Sequence, residues 1–337
     1  MLSKINLSQL EESLSKVKIL VVGDLILDRY FWGSVERISP EAPVPVFDLK
    51  EITHSLGGSA NVSANLRGLS VQTFLMGVVG KDEKGDLLIK IAEECGINTQ
   101  GILKDPERPT TLKTRVIAQS QQLLRIDKEV RLPLSSDIKK AFQEIYEELL
   151  SNVDGVILSD YAKGMFLSDS FCNWLIEEAK RHKKFIMIDP KSADWKKYQG
   201  ATSITPNLKE FKEVLRYENL KEENLDEASF YLVKKYELDF LVVTLGKEGI
   251  YLFQPEKGGL RLASQAREVF DVSGAGDTVI ASLSAFFGAG FSIEDAVTLA
   301  NICAGIVVGK VGTQPVYLEE LKKFLKEGGS HGKNCQN

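Results

Sequence analysis

The chain has 337 residues, a formal net charge of -5, and ordinary fractions of hydrophobic (43%) and charged (26%) residues. That composition excludes a disordered chain and a small disulfide scaffold, and the acidic balance counts against a nucleic-acid binder. No stretch reaches the roughly 20 apolar residues of a membrane helix, and the N-terminal MLSKINLSQLEESLSK lacks the apolar centre of a signal peptide, so a cytoplasmic protein is expected.

In chain order, Leu7, Leu10, Leu14 and Val17 have helical spacing and predict a short amphipathic lead-in helix. KILVVGD (18–24) is a continuous apolar run ending in Gly and Asp, as in a buried parallel strand. Similar runs follow at 71–80, 154–160, 184–190, 201–207 and 238–246. Helical patterns lie between them at 59–69, 83–94, 136–150, 168–182, 207–216 and 225–236. This alternation predicts an α/β fold with a doubly wound, mostly parallel sheet. Beyond residue 274 only helices are expected, near 275–288, 292–309 and 317–326.

Two segments break the alternation. Residues 28–56 contain three prolines and no helix pattern, and residues 110–128 are β-branched and polar. Both read as antiparallel strands of a small β lid, or as edge hairpins without function. They carry Tyr30, Phe31, Trp32, Val44, Val46, Phe47, Leu112, Val116, Ile117, Leu123 and Leu124, more apolar surface than one cleft face can bury. A homodimer joined through the lids is therefore expected. Residues 1–326 read as one domain, with 327–337 a polar, Gly-rich flexible tail.

Cys95, Cys172, Cys303 and Cys335 form no CxxC pair, and His54, His182 and His331 are far apart. Reduced thiols fit better than a disulfide or zinc site, and a Ser-His-Asp triad has little material. There is no GxxxxGK[ST], and no GxGxxG follows the first strand, so P-loop and dinucleotide-binding readings fail.

The strongest chemical signal is DVSGAGDT (271–278), which opens an apolar helix. Small residues there allow ligand atoms to approach backbone N–H groups, and helix N-termini attract anions. Gly274, Ala275, Gly276 and Asp277 would form an anion cradle. Asp277 is either a dipole partner or a base beside a phosphoryl group, held ionised by the helix dipole. The second signal is LGGSANVSANL (56–66), where Asn61 and Asn65 share a helix face after Gly57 and Gly58. Their amides could bind sugar hydroxyls, or form only a polar helix face.

Together, GG-x-x-N early and D-x-x-G-A-G-D late resemble the paired signatures of the ribokinase (PfkB) carbohydrate kinase family over about residues 15–326. GDLILDRYFWGSVERISPEAPVPV (23–46), QQLLRID (121–127), SDYAKG (159–164), DPK (189–191) and ITPNLKEF (204–211) are similar to its heptose 7-phosphate kinase branch. The resemblance implies a ribokinase-like fold and transfer of a phosphoryl group from ATP, with Mg2+, to C1 of D-glycero-β-D-manno-heptose 7-phosphate. K+ is a further implied cofactor. The product would serve ADP-heptose and lipopolysaccharide synthesis. No HxGH nucleotide motif occurs, so a separate adenylyltransferase, besides a phosphatase, is expected in the same pathway. Alternatives are a kinase for ribose, fructose 6-phosphate or a nucleoside, or a non-catalytic sugar or nucleotide sensor.

The resemblance also implies residue roles. Asp277 matches the catalytic base, with Gly274, Ala275 and Gly276 as anion hole. Asn207 and Glu210 match the magnesium and phosphate element, and Thr244, Gly246, Asn301 and Ala304 match the nucleotide site. Asp24, Asp28, Gly58, Asn61, Asn65 and Asp160 fall on the sugar side. Asp271 and residues 308–313 resemble a monovalent-cation loop. Arg125, Lys163 and Lys191 are the candidates for gripping a sugar phosphate, since the last two follow strand-like runs at the ligand-binding edge of the sheet.

Overall fold

The run KILVVG forms β1 (Lys18–Gly23), the strand on which the large sheet is organised. The computed structural model describes residues 7–119, 121–220, 224–266, 268–310 and 312–331. A short helix, α1 (Leu7–Lys16), leads in. After β1 come β2 (Leu25–Ile38), β3 (Pro45–Gly58), α2 (Ser59–Gly68), β4 (Gln72–Gly80), α3 (Glu83–Glu94) and β5 (Asn98–Asp105). Next are β6 (Thr111–Ala118), β7 (Gln121–Lys128), α4 (Ser136–Leu150), β8 (Gly155–Ser159), α5 (Asp169–Arg181) and β9 (Phe185–Asp189). Then follow β10 (Ser203–Ile204), α6 (Leu208–Tyr217), α7 (Leu225–Lys235), β11 (Phe240–Thr244), β12 (Ile250–Gln254) and β13 (Gly258–Leu262). Three helices close the chain: α8 (Ala275–Gly288), α9 (Ile293–Val307) and α10 (Leu318–His331).

Nine strands form the large sheet in the order β13-β12-β11-β10-β9-β8-β1-β4-β5. All neighbours are parallel except β11–β12 and β12–β13. The expected strands are present. β5, β12 and β13 were not expected: β5 is largely polar, and β12–β13 is a hairpin at the sheet edge. Both faces of the sheet are covered, which is why its strands read as continuous apolar runs. Ile19 and Val21 of β1 point into one core with α2, α8 and α9. Leu20 and Val22 point into the other, against α4, α5 and α6. Every residue from Asp277 to Phe286 of α8 is buried, so that helix lacks a polar face.

The lid is a second sheet in the order β3-β2-β6-β7. Each hairpin within it is antiparallel, as expected, while β2 and β6, which join the hairpins, run parallel. The last helix passes the predicted end and continues to His331; residues 332–337, with Cys335, lie outside the described residues. Among the described residues, no helix is long and apolar enough to cross a membrane.

At the end of β1 a Cβ on Gly23 would lie 2.2 Å from the Ser159 carbonyl oxygen of β8. The two strands approach there as closely as a glycine permits. Gly23→Ala is expected to cost about 1–3 kcal/mol through forced backbone shift. Urea unfolding at neutral pH measures it; a loss below about 0.5 kcal/mol would show that the strands can part without strain.

Candidate active site

In doubly wound sheets, ligands collect at the carboxyl ends of the strands, where successive connections leave in opposite directions. Here the chain leaves β1 toward β4 on one side and reaches β8 on the other. The residues just past these strands are Asp24 after β1, Asp160 and Tyr161 after β8, and Asn207 beside Thr244 of β11. Asp189 ends β9 itself.

Asp277 stands in the first turn of α8 and is only 5% exposed. Its Oδ2 accepts from the Asn61 amide at 2.7 Å, and its Oδ1 accepts a short hydrogen bond from the Tyr161 hydroxyl. Gly274 takes the left-handed conformation, φ 81°, that starts the helix there. A Cβ on Gly276 would meet nothing within 4 Å, so the first turn faces open space. The Ala275 N–H is turned back onto the Val272 carbonyl at 3.3 Å and the Thr278 N–H bonds the Gly274 carbonyl at 3.0 Å, so a cradle at this turn would rest on the N–H groups of Gly276 and Asp277. The ionisation of Asp277 is set by more than the helix dipole. Burial dominates and pushes its carboxyl up to about 6, against the pull of the Tyr161 and Asn61 hydrogen bonds.

One pocket is lined by Asp277, Gly274 and Gly276 together with Asp189, Lys191, Asn207, Glu210 and Thr244. Thr244 and Gly276 also line the adjoining cleft, so the two are continuous. That cleft is larger and more apolar, encloses about 680 Å³ including its open mouth, and holds Gly246, Ala275, Asn301 and Ala304. The residues expected at a nucleotide site are thus brought together. The N-x-x-E element has a local cause too: Asn207 and Glu210 form a reciprocal capping box on α6, both bonds being 3.0 Å. The second Glu210 oxygen accepts from Lys191 Nζ at 2.7 Å. Lys191 therefore sits on the Asn207 side of the pocket, away from the lid.

On the sugar side the expected residues divide. Asp28 is buried at the root of the lid, and its Oδ1 accepts from Arg115 at 2.6 Å. Gly58 ends β3 and starts α2. Asp24, Asn65 and Asp160 spend their polar atoms on the protein itself. The Asp24 carboxylate accepts from the backbone N–H groups of Tyr161, Lys163 and Met165 at 3.0, 3.0 and 3.1 Å. Asn65 Oδ1 accepts from the Thr278 hydroxyl and the Val316 N–H, and its amide donates to the Asn61 carbonyl. Asp160 accepts from the Ala162 N–H, Lys197 and the Tyr198 hydroxyl. Lys163 is paired with Glu129 at 2.7 Å, and Arg125, half exposed on β7, is held by Asp127. Asp271 accepts from the Ser273 and Gly312 N–H groups and so ties residues 271–273 to the 312–313 loop; Val311 is outside the described residues.

Sequence reasoning missed Tyr161, Lys113 and Arg115. Lys113 and Arg115 share one lid face with Asp28 and Tyr30, as their cross-strand pairing shows. Alternation along KTRVIA was the available signal for that face. Lys113 Nζ lies 5.7 Å from the centre of the Tyr161 ring, and burial lowers its pKa.

The raised carboxyls fix a pH dependence of stability. For Asp24 and Asp277, both pushed from 3.8 to about 6 mainly by burial, the folded state binds more protons than the unfolded one between pH 4 and 6. Each contribution is full below about pH 4 and is lost as pH rises through 6. Asp277→Asn is therefore expected to unfold later than the parent at pH 8, by on the order of 2–3 kcal/mol, with the difference shrinking toward pH 4. Denaturant titrations at both pH values measure this; equal stability at pH 8 would contradict the burial penalty.

Comparison with known proteins agrees with this architecture. Residues 16–320 match the sequence profile of the pfkB family carbohydrate kinases. The chain is 45% identical over 311 residues to the bifunctional protein HldE of Helicobacter pylori (strain HPAG1), covering 92% of this chain and 66% of that protein. It is 46% identical to the bifunctional protein HldE of Methylobacillus flagellatus, covering 92% and 63%. The chain thus spans about two thirds of the length of these curated relatives, 66% and 63%. Its fold is similar to Arabidopsis thaliana ribokinase complexed with ribose and ATP, with TM-score 0.71, 20% identity and coverage of 92% and 99%. It is also similar to Escherichia coli phosphofructokinase-2 in complex with substrates and products, with TM-score 0.76, 15% identity and the same coverage of 92% and 99%. The chain belongs to the pfkB family of carbohydrate kinases and is a phosphotransferase acting on a sugar hydroxyl.

Proposed function

We propose that this kinase transfers the γ-phosphoryl group of ATP to the C1 hydroxyl of D-glycero-β-D-manno-heptose 7-phosphate. The observation that carries the reading is the placing of Asp277 between a nucleotide-sized cleft and a lid face that bears cations. Similarity of residues 23–46 and 159–164 to heptose kinases and 45% identity to HldE support the sugar. In this reading Asp277 takes the proton of the C1 hydroxyl. The freed oxygen attacks the γ-phosphorus, and the bond to the ADP oxygen breaks. The N–H groups at the start of α8 hold the charge that develops on the phosphoryl oxygens. Asp28 and Asn61 face the sugar, and Lys113, Arg125 and Lys163 offer charge to its 7-phosphate. Asn301 and Ala304 line the adenine end of the cleft. Lys191, beside Glu210, belongs with the nucleotide phosphates.

Glu210 is one carboxylate with both oxygens already engaged, and no cluster of three or more metal-ligating side chains occurs among the described residues. That donor set fits Mg2+, which keeps waters and is held mainly by nucleotide phosphates. Bound there, Mg2+ would neutralise phosphate charge. Potassium at the Asp271 loop is part of the same proposal, as is action in the cytoplasm.

A coupled ADP-release assay over heptose 7-phosphate, ribose, fructose 6-phosphate and a nucleoside tests the reading. Heptose 7-phosphate should turn over fastest, phosphorus NMR should show a new anomeric phosphate, and Asp277→Asn should lose roughly 10²–10⁴-fold. Faster turnover of ribose or fructose 6-phosphate would overturn the sugar; near-parent activity of Asp277→Asn would overturn the base.

We also propose that two copies join through the outer faces of their lids. Ile52, Phe31, Val116 and Leu124 form one row across the four strands, on the face opposite Asp28 and Arg115. Ile52 and Leu124 are 47% and 55% exposed in the single chain. Light scattering at micromolar concentration should give a dimer, and Leu124→Asp should weaken it. A fully active monomer would refute the assembly.

A further inference from the structure

We propose that Tyr161 is a positioning residue for the base: its phenol, aimed by the turn after β8, holds Oδ1 of Asp277 so that the carboxylate stays ionised and oriented toward the cleft. The inference rests on the reading of Asp277 as base and deepens it.

The turn is built to place this one side chain. Two buried carboxylates pin it from opposite ends. Asp24 accepts from the N–H groups of Tyr161, Lys163 and Met165, and Asp160 accepts from the N–H of Ala162. Ala162 itself is held at φ 55°, a left-handed conformation that a β-carbon disfavours. Strain of this kind persists only where the surroundings over-determine the backbone. Two buried acids and a strained alanine are a large outlay for a surface turn. Their joint result is a phenol on the carboxylate that faces the transferred phosphoryl group.

The groups around Asp277 define what the phenol does. From α2 comes the Asn61 amide, on the other oxygen. From β2 comes Asp28, whose charge opposes ionisation, and from β6 comes Lys113, whose charge favours it. Asp189, at the end of β9, is a further acid within electrostatic reach of Asp277. Burial and the neighbouring Asp28 thus push the carboxyl up, and the Tyr161 and Asn61 donors are the chief restraints. Burial also raises the Tyr161 phenol well above its ordinary value, so it remains a protonated donor through the neutral range. Lys113 over its ring adds a cation where a charged phenolate is absent. Tyr161 therefore neither takes nor gives up a proton. It keeps Asp277 ready to take one.

Tyr161→Phe retains the ring and removes only the donor. Hydrogen bonds to charged groups are strong enough to move a carboxyl by about one unit. The acid limb of kcat/KM with heptose 7-phosphate should therefore rise by about one unit. Activity at pH 6 should fall about fivefold further than at pH 8.5, with KM for ATP unchanged. Carbon-13 NMR of aspartate-labelled protein gives a readout without substrate: the carboxyl signal lost in Asp277→Asn should titrate about one unit higher in Tyr161→Phe. Placing 3,5-difluorotyrosine at position 161 strengthens the donor without emptying the site, so both limbs should move down. An acid limb and carboxyl titration that stay put in the folded variants, or a loss equal at every pH, would overturn the positioning role. If Asp277→Asn keeps its turnover, it is the base reading that fails. If the heptose is not a substrate, the carboxyl titration still decides the role of Tyr161.

Discussion

The carboxyl ends of the parallel strands gather buried acids, and satisfying them organises the rest of the site. Asp24, Asp160 and Asp277 are each 6% exposed or less. An unpaired buried carboxylate is far too costly to keep charged, so each must find donors or hold its proton. Asp24 is met by three backbone N–H groups, and Asp160 by an N–H, a lysine and a phenol. Meeting those demands fixes the 160–165 turn, and the turn in turn supplies the donor for Asp277. Asp189 has no hydrogen bond to its carboxylate among the described residues, and burial with neighbouring acids raises it well above the carboxylate range. The site thus holds an unequal set of acids: some spent on structure, others left facing the cleft.

The lid is seated on this arrangement through a second set of polar contacts. Arg115 on β6 bonds Asp28 and lies 5.3 Å from the centre of the Tyr30 ring. Tyr30 bonds the Thr313 hydroxyl at 2.9 Å, and Gly312 beside it donates to Asp271. A chain of contacts therefore runs from the lid, through the 312–313 loop, to the segment that opens α8. The lid root and the Asp277 helix share supports, so a ligand that reseats one acts on the contacts of the other. The Arg115–Asp28 pair is itself largely buried, so removing either partner would leave an uncompensated charge near Asp277.

Much of this was legible in the sequence, and the reasons are specific. KILVVG, DGVILS and FLVVT read as strands because both faces of the sheet are covered, which leaves an unbroken apolar run. GAGD was visible because a glycine at φ 81° and a small first turn leave a composition that few other structures need. β5 was not visible, since its apolar positions are too few to stand out from a loop. The protein partners of Asp24 and Asn65 were not legible for one shared reason. A polar residue in an informative motif can be turned toward backbone donors or toward ligand, and sequence does not encode that direction. Tyr161 was overlooked beside Asp160 and Lys163 in SDYAKG, although its hydroxyl reaches the carboxylate of Asp277 from that turn. Its placing depends on the left-handed backbone of Ala162 and on Asp24, 137 residues away, and neighbouring residues reveal neither that conformation nor that contact.

The pKa of Asp277 shows why such crowding serves a phosphoryl-transfer site. A carboxylate at its ordinary value of 3.8 is fully ionised at neutral pH but is a weak base. One left in an apolar pocket without donors would hold its proton and accept nothing. At about 6 the group is a better proton acceptor, yet roughly 90% ionised at pH 7. Burial supplies the upward push, and Asn61 with Tyr161 stops it short of neutralisation. Because the helix N-terminus alone would favour a more acidic group, the observed balance requires the lid, the turn and α2 together. The proposed base is therefore a property of the assembled elements and not of the GAGD motif alone.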